Sequence, residues 1–462
     1  MKKILLWILT VVACVSLLFT FSLIGCKQEA AETTAAAETT AEKDIFSEPT
    51  ELTWWWYGEE EAPGETKYIE ALIDGYTEMH PNITITQVHQ GVDVLIPNFQ
   101  AAYEAQSGPD IATLWGGLYL LEWVWQGAFV PLNDYIDEEE MSHWIGSKFS
   151  AYDGKIYGSD LEAHANFTIY NKDHFVDAGL DPDTPPATWD DLVEYSAKLK
   201  AAGHAPWAAG FSGGWQTPVF ADFMWPYYFD TEEIIACVTG ERSFNEPDFV
   251  DFWKKLDDYN KAGYFIEGAT SIDWVEAWNE WRAGKATFLG LPGATAMTYV
   301  NELGPDKVGY FIFPAVSDKQ VVEGLVWPSP HSITSWSEHK ELAADFLVYL
   351  HAEENYSKLI DTMEVRMVPS DDRFDFSSVT EPPHAKWYAE MVVKGIKENN
   401  YLAEALLPWA IIDGGLIQGG QMIILGQTDP QGAADNMEKA AKDWRQQNPE
   451  LLESFKTWAA GW

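Results

Sequence analysis

The apolar residues of this chain begin as one long run and then change period. Ile4 to Leu23 is apolar and uncharged, whereas from Leu52 onward apolar residues fall into short β-prone runs and helical spacings. Leu52-Thr53-Trp54-Trp55-Trp56-Tyr57 reads as a strand ending at Gly58, and Tyr68 to Met79 reads as a helix that His80-Pro81 stops. Ile83, Ile85 and Val88 mark a second strand, Leu95 to Gln106 a second helix, and Asp110 to Leu114 a third strand. Strand, helix, strand, helix, strand predicts a parallel sheet flanked by helices. Ligands of such sheets sit at the carboxyl ends of the strands, here Tyr57 to Glu60 and Trp115 to Tyr119. Farther on, Tyr152 to Gly158 reads as a hairpin turned by Asp153-Gly154, and Asn166 to Tyr170 as the strand after it. Thr188-Trp189-Asp190-Asp191 opens a helix with a capping box, and Asp429-Pro430 begins the last long helix.

The first apolar run has Lys2 and Lys3 before it and Gly25-Cys26 after it. This is the form of an export signal, although the run is also long enough for a permanent membrane span. Leu23-Ile24-Gly25-Cys26 resembles a bacterial lipoprotein signal, which implies removal of residues 1–25 and lipid on Cys26. Residues 26–47 are dominated by Ala, Thr and Glu, and such a segment lacks the apolar surface to offset the entropy of ordering, so it is expected to be a tether. With Cys14 in the signal and Cys26 lipidated, Cys237 has no disulfide partner, and no cysteine metal cluster is expected.

At 462 residues the chain is long enough for two lobes. Its formal net charge of −43 argues against a nucleic-acid partner. The 23 Trp, 20 Tyr and 23 Phe exceed the ordinary needs of a core, and flat aromatic faces suit sugar rings. Carboxylates beside tryptophans also describe glycoside hydrolases, so an enzyme reading stands as the alternative. The sequence contains no nucleophile elbow, zinc-protease motif, phosphate loop or paired Cys-x-x-Cys, and no cofactor or metal is expected.

Several ordered segments carry a family resemblance. They are Ser107-Gly108-Pro109-Asp110-Ile111, Gly127 to Leu132, Gly154-Lys155-Ile156-Tyr157-Gly158, Ile169-Tyr170-Asn171-Lys172-Asp173, Thr188-Trp189-Asp190-Asp191-Leu192, Trp281 to Phe288 and Lys340 to Leu347. Together they resemble the family 1 extracellular solute-binding proteins, the group that includes the maltose-binding protein. The resemblance implies an α/β, two-lobed periplasmic-binding-protein fold of type II, each lobe a mainly parallel sheet flanked by helices. It implies one lobe from residues 48–162 plus 310–365 and another from 163–309 plus 366–462. The chain is expected to cross between them near Leu161 to Asn166, Val308 to Phe313 and Glu364 to Val368. The implied function is an extracytoplasmic, membrane-anchored monomer that captures a carbohydrate by hinge closure and delivers it to the permease subunits of an ABC importer. A binding lipoprotein for a peptide or other solute, or a sensor subunit, fits the same motifs.

Candidate ligand contacts follow from strand ends and from the resemblance. Trp56, Tyr57, Glu59 and Glu60 follow the first strand, where indole faces and carboxylates suit a sugar; alternation makes at least one of Trp54, Trp55 and Trp56 a packing residue. Trp115 follows the third strand, and His164 and Asn166 lie on the first crossing. Trp215, Gln216 and Trp225 flank Thr217-Pro218, and Gly290 to Gly293 permits close backbone approach, with Gly293 as the candidate contact. Trp327 and Arg366 complete the set, with Trp409 and Asp413 as weaker candidates in an apolar stretch.

Overall fold

The computed structural model describes residues 44–319, 324–398, 400 and 402–461. Cys26 and the expected signal lie outside the described residues. Strands β1 (Thr50–Trp56), β2 (Ile83–His89) and β3 (Ile111–Thr113) alternate with helices α1 (Glu65–Met79) and α2 (Leu95–Ala105). β1 pairs in parallel with β2 and β3, as the alternating pattern requires. Leu52, Trp54 and Trp56 of β1 all point into one core, under Tyr68, Ile69, Leu72 and Tyr76 of α1. The Trp54 indole N–H donates to Thr113 Oγ1 at 3.0 Å, so even the polar atom of this core residue is partnered.

After helix α3 (Leu118–Trp125) and the small hairpin of β4 (Ala151–Tyr152) and β5 (Lys155–Ile156), the chain enters β6 (Glu162–Asn171). This ten-residue strand is buried at every position but its last. A buried strand needs partners on both edges, because each unpaired backbone group would lose its water without replacement. Its second half pairs with β8 (Ala286–Leu291) and β9 (Val308–Phe311), and its first half with β10 (Leu325–Pro328) and β12 (Val368–Pro369). β7 (Ala205–Trp207) lies outside β8, parallel to it.

The expectation of a mainly parallel sheet in each lobe therefore needs correction for the second. β6 runs antiparallel to β8, β9, β10 and β12, and only β7 and β8 are parallel there. The expected second crossing also lies elsewhere. Val308–Phe311 pairs with Thr168–Asn171 inside the second sheet, and Ala315 still bonds Ala187 beside it. The chain reaches the first sheet only through β10 and β11 (His331–Ile333), the latter pairing antiparallel with β3. β12 then lies against Glu162 and Ala163 at the start of β6.

The capping box at Thr188 is present: Thr188 Oγ1 accepts from the Asp191 amide at 3.2 Å and Asp191 Oδ2 accepts from the Thr188 amide at 3.0 Å. It opens the helix Trp189–Ala201. Near the chain's end the apolar stretch around Asp413 is helical as expected, but Ile412–Ile417 forms a π turn, with Gly415 packed against Met437. The last helix, Pro449–Ala459, rests both on α3 and on the helix Thr231–Thr239. Among the described residues, no helix is long and apolar enough to cross a membrane.

Candidate functional site

Parallel pairing puts the turns after β1, β2 and β3 on one edge of the first sheet, and these turns meet residues of the second sheet across a chamber. From the first side come Glu61, Val92 and Trp115; from β6 and β10 come His164, Asn166 and Trp327. From the far side come Trp215, Gln216 and Val219, Trp274 and Trp278, and the end of β8 with its following turn, Gly290 to Pro292, while Glu404 closes one end. The space they enclose, open mouth included, is about 630 Å³.

Bonds across the chamber hold its two sides together. The Trp215 indole donates to Asp93 Oδ1 at 3.2 Å, and Thr295 Oγ1 donates to the Glu61 carbonyl at 2.5 Å. Tyr57 OH pairs with Ser329 Oγ at 2.8 Å and lies 3.4 Å from the Trp327 indole nitrogen. The rings form one array: Trp115 lies 4.9 Å from Tyr57, 5.7 Å from Trp215 and 6.4 Å from Trp327, centroid to centroid.

The polar groups of the chamber are neutral or acidic. Burial holds His164 down to about 4, so its imidazole is uncharged at neutral pH. Burial, joined by the charges of Glu404 and Glu60, pushes Glu61 up to about 8. Burial also raises Glu404 to about 7, against the bonds from Asp222 and Tyr119. The Trp115 indole N–H lies beside Glu61 without a bond of good geometry, and Asn166 Oδ1, also buried, has no partner within the protein. Among the described residues, no lysine or arginine lines the chamber.

The residues singled out in the sequence divide cleanly. Trp115, His164, Asn166, Trp215, Gln216 and Trp327 meet in the chamber, and Tyr57 stands directly behind Trp115 and Trp327. Trp56 is instead core, its indole bonded to Gln87, because strand alternation sends it to the same side as Trp54. Trp225 is fully buried among Phe229, Phe244, Phe249 and Phe252. Glu59 caps α1: its carboxylate accepts from the Gly64 amide and from the Thr66 amide and hydroxyl, and these bonds outweigh burial to hold it below the ordinary range. Glu60 pairs with His89 at 3.3 Å outside the chamber. Gly293 is a packing position, since a Cβ there would come within 2.1 Å of the Ala165 carbonyl and 2.6 Å of Tyr388 OH. Arg366 ties the Pro63 carbonyl to Thr298 Oγ1, a staple between the turn after β1 and the helix after β8. Glu61, Trp274, Trp278 and Glu404 were not foreseen. Trp274 and Trp278 did carry a signal, an aromatic pair at i,i+4 behind the helix cap Asp273.

Comparison with known proteins agrees with this architecture. Residues 62–356 match the family model described as bacterial extracellular solute-binding protein. A putative binding protein of Brucella abortus is 28% identical over 253 residues, 54% of this chain and 60% of that one. An sn-glycerol-3-phosphate-binding periplasmic protein from the same organism is 27% identical over 52% of this chain and 57% of its own length. The match thus spans less than two thirds of these relatives. Among solved structures, a chitin oligosaccharide binding protein superposes with a TM-score of 0.73 at 21% identity, covering 85% of this chain and 98% of that one. Maltose-bound MalE3 of T. maritima superposes with a TM-score of 0.69 at 19% identity, covering 85% and 99%. These likenesses establish the two-lobed binding-protein fold. On the match to its family model across most of the folded chain, this protein belongs to the bacterial extracellular solute-binding proteins.

Proposed function

We propose that this protein captures a neutral carbohydrate between its two lobes, unaltered, as the extracytoplasmic binding component of an ATP-driven importer. The observation that carries the reading is the make-up of the chamber: five indoles, Trp115, Trp215, Trp274, Trp278 and Trp327, around Glu61, Glu404, Asn166 and Gln216, with no lysine or arginine among the described residues that line it. A sugar ring offers apolar C–H faces that an indole covers and hydroxyls that carboxyl and amide oxygens accept from. The names of similar structures, for chitin oligosaccharide and maltose, support a saccharide ligand. The relative named for sn-glycerol-3-phosphate suggests a phosphate instead. A buried phosphate needs cations or convergent N–H donors, and here it would meet two carboxyls.

Glu61 and Glu404 also bear on the hydrolase alternative. Glycoside hydrolysis needs one carboxyl protonated and its partner ionised. Burial raises both, and the charge of Glu404 raises Glu61 further, so their protonation alone does not separate the two readings, and the fate of the bound sugar does. The division of the lobes follows the strand pairing: β1, β2, β3 and β11 in one, β7, β8 and β9 in the other. The pairing of β6 with β10 and β12 supports these three strands as the hinge region. The working form is a lipid-anchored monomer held through Cys26, with membrane permease subunits as partners.

In a thermal-shift screen, neutral mono- and oligosaccharides raise the melting temperature, since a ligand at 100 times its Kd adds about 2.7 kcal/mol to the native state. Sugar phosphates and uronic acids bind at least about tenfold more weakly, a difference of roughly 1.4 kcal/mol. Tighter binding of the phosphorylated sugar, or new products in chromatography of the incubated saccharide, contradicts the reading.

Stability without ligand depends on pH in a direction fixed by the raised carboxyls. Glu61 and Glu162 at about 8 and Glu122 and Glu404 at about 7 bind protons more tightly folded than unfolded, so stability falls as pH rises between the unfolded value near 4.5 and 8. Buried neutral His164, His174 and His331 oppose this trend only below about 6.5. The melting temperature therefore drops from pH 6.5 to pH 8, and Glu61→Gln flattens the drop. A melting temperature that rises over that interval contradicts these assignments.

Replacing the anchor cysteine, Cys26→Ser, moves the protein from the membrane fraction to the soluble fraction while ligand affinity is unchanged. Equal membrane retention of the variant and the natural protein counts against lipidation at this residue.

A further inference from the structure

Three carboxyls lie where the two sides of the chamber meet: Glu61 and Glu404 line the chamber itself, and Glu122 lines the cleft beyond Trp215. Glu61 stands on the turn after β1, on the first sheet's side. Glu404 stands on the turn Ala403–Leu406, which packs on the helices Gln216–Met224 and Thr231–Thr239 of the other side. Tyr119 of α3 reaches across and its hydroxyl donates to Glu404 Oε2 at 3.1 Å. One turn farther along α3, Glu122 accepts from the Trp409 amide and the Trp444 indole, both at 3.2 Å. Behind Glu404, fully buried Asp222 accepts from the Glu404 amide through Oδ1 at 3.0 Å, and its Oδ2 has no partner within the protein.

The contacts that shield these acids run from one side to the other, so they last only while the sides are together. Parting them breaks the bonds at Tyr119 and Glu122, along with those from Trp215 to Asp93 and from Thr295 to the Glu61 carbonyl, and admits water. A carboxyl shut away from water without a cation is held neutral, and in water it returns toward the ordinary carboxylate value. Among the described residues, no lysine or arginine lines either space. Burial raises Glu61 to about 8 and Glu404 to about 7, and raises Glu122 to about 7 against its two bonds. Burial, joined by the charge of Glu404, raises Asp222 as well.

The neighbouring titratable groups do not offset this. Burial holds His164 neutral and holds Tyr57 and Tyr119 protonated. Glu65, on the same turn as Glu61, is itself raised by burial. His89 pairs with Glu60 outside the chamber, Asp93 accepts the Trp215 indole, and the Arg366 guanidinium goes to the Pro63 and Met363 carbonyls and to Thr298.

Building on the carbohydrate reading above, we propose that closure of the two sides around a sugar takes up protons at Glu61, Glu404 and Glu122, so that capture is tighter in mildly acidic surroundings and release easier as pH rises. The closed form holds these carboxyls above their open values, so their contribution to closure is full below about 4.5 and is lost as pH rises through 7 and 8. This linkage differs from that of unfolding. Glu162 is also raised to about 8, but it lies on β6 and lines neither space, so it bears on stability and not on closure.

Calorimetry of the full chain in a sugar-free detergent tests this with maltose, cellobiose, xylobiose and di-N-acetylchitobiose, none of which has a group that titrates near neutral pH. For each sugar that binds, affinity is at least about tenfold lower at pH 8 than at pH 6. Titrations at pH 7 in phosphate and in Tris, whose ionisation heats differ, show net uptake of protons with each sugar bound. Glu404→Gln and Glu122→Gln each lower that number, with folding of both variants checked by circular dichroism. Glu122 does not line the inner chamber, so its effect reports closure and not a lost contact to the sugar. Equal affinity at the two pH values, release of protons, or uptake unchanged in both variants overturns the proposal while the carbohydrate reading stands. Binding of none of the four sugars at either pH removes the carbohydrate reading and this proposal with it.

Discussion

Strand β6 is buried along nearly its whole length and must be hydrogen-bonded on both edges, and this requirement places the site. Its second half is satisfied by β8 and β9, its first half by β10 and β12, and where β12 runs out the Ala165 amide donates to Tyr388 OH at 3.3 Å. Strand alternation then sorts the side chains. Ala165 presents a small face against which Gly293 and Tyr388 close, while His164 and Asn166 face the chamber. β10 sets Trp327 opposite His164 in register and so brings an indole to the same spot.

The electrostatic character of the chamber follows from its burial. Carboxyls at this depth are held neutral more readily than charged, and no lysine or arginine among the described residues lines the chamber to reverse that. Similar groups gather behind the chamber: Asp160 and Glu162 are raised by burial, and both Asp160 oxygens lack partners within the protein. Such groups lower stability. Among the described residues the chamber lining offers an anion no lysine or arginine, which fits a protein proposed to select neutral hydroxylated ligands.

Much of the fold was legible because local rules determined it. The run Leu52 to Tyr57, the stop at His80-Pro81 and the capping box at Thr188 each have a short-range cause, and each stands where the pattern put it. The site was legible where a strand end or a crossing fixed a residue's address, as for Trp115, His164, Asn166 and Trp327. It was not legible where tertiary packing decides which way a side chain faces. Trp274 and Trp278 occupy the apolar positions of an amphipathic helix, and that pattern is the same whether the face meets a core or a chamber. Trp56 shows the converse, since a tryptophan at a strand's carboxyl end still obeys alternation and here turns into the core. Glu404 lies in an apolar stretch and gains its role only from the fold that brings Asp222 and Tyr119 to it.

The central claim is that a saccharide ring lies between the two sheets against the indoles around β6. A crystal structure of the protein with the tightest-binding saccharide tests it most directly. The account predicts a sugar ring within about 4 Å of the Trp115 or Trp327 indole, with a ligand hydroxyl donating to Asn166 Oδ1. A saccharide bound elsewhere, with the chamber collapsed on its own side chains, would contradict it.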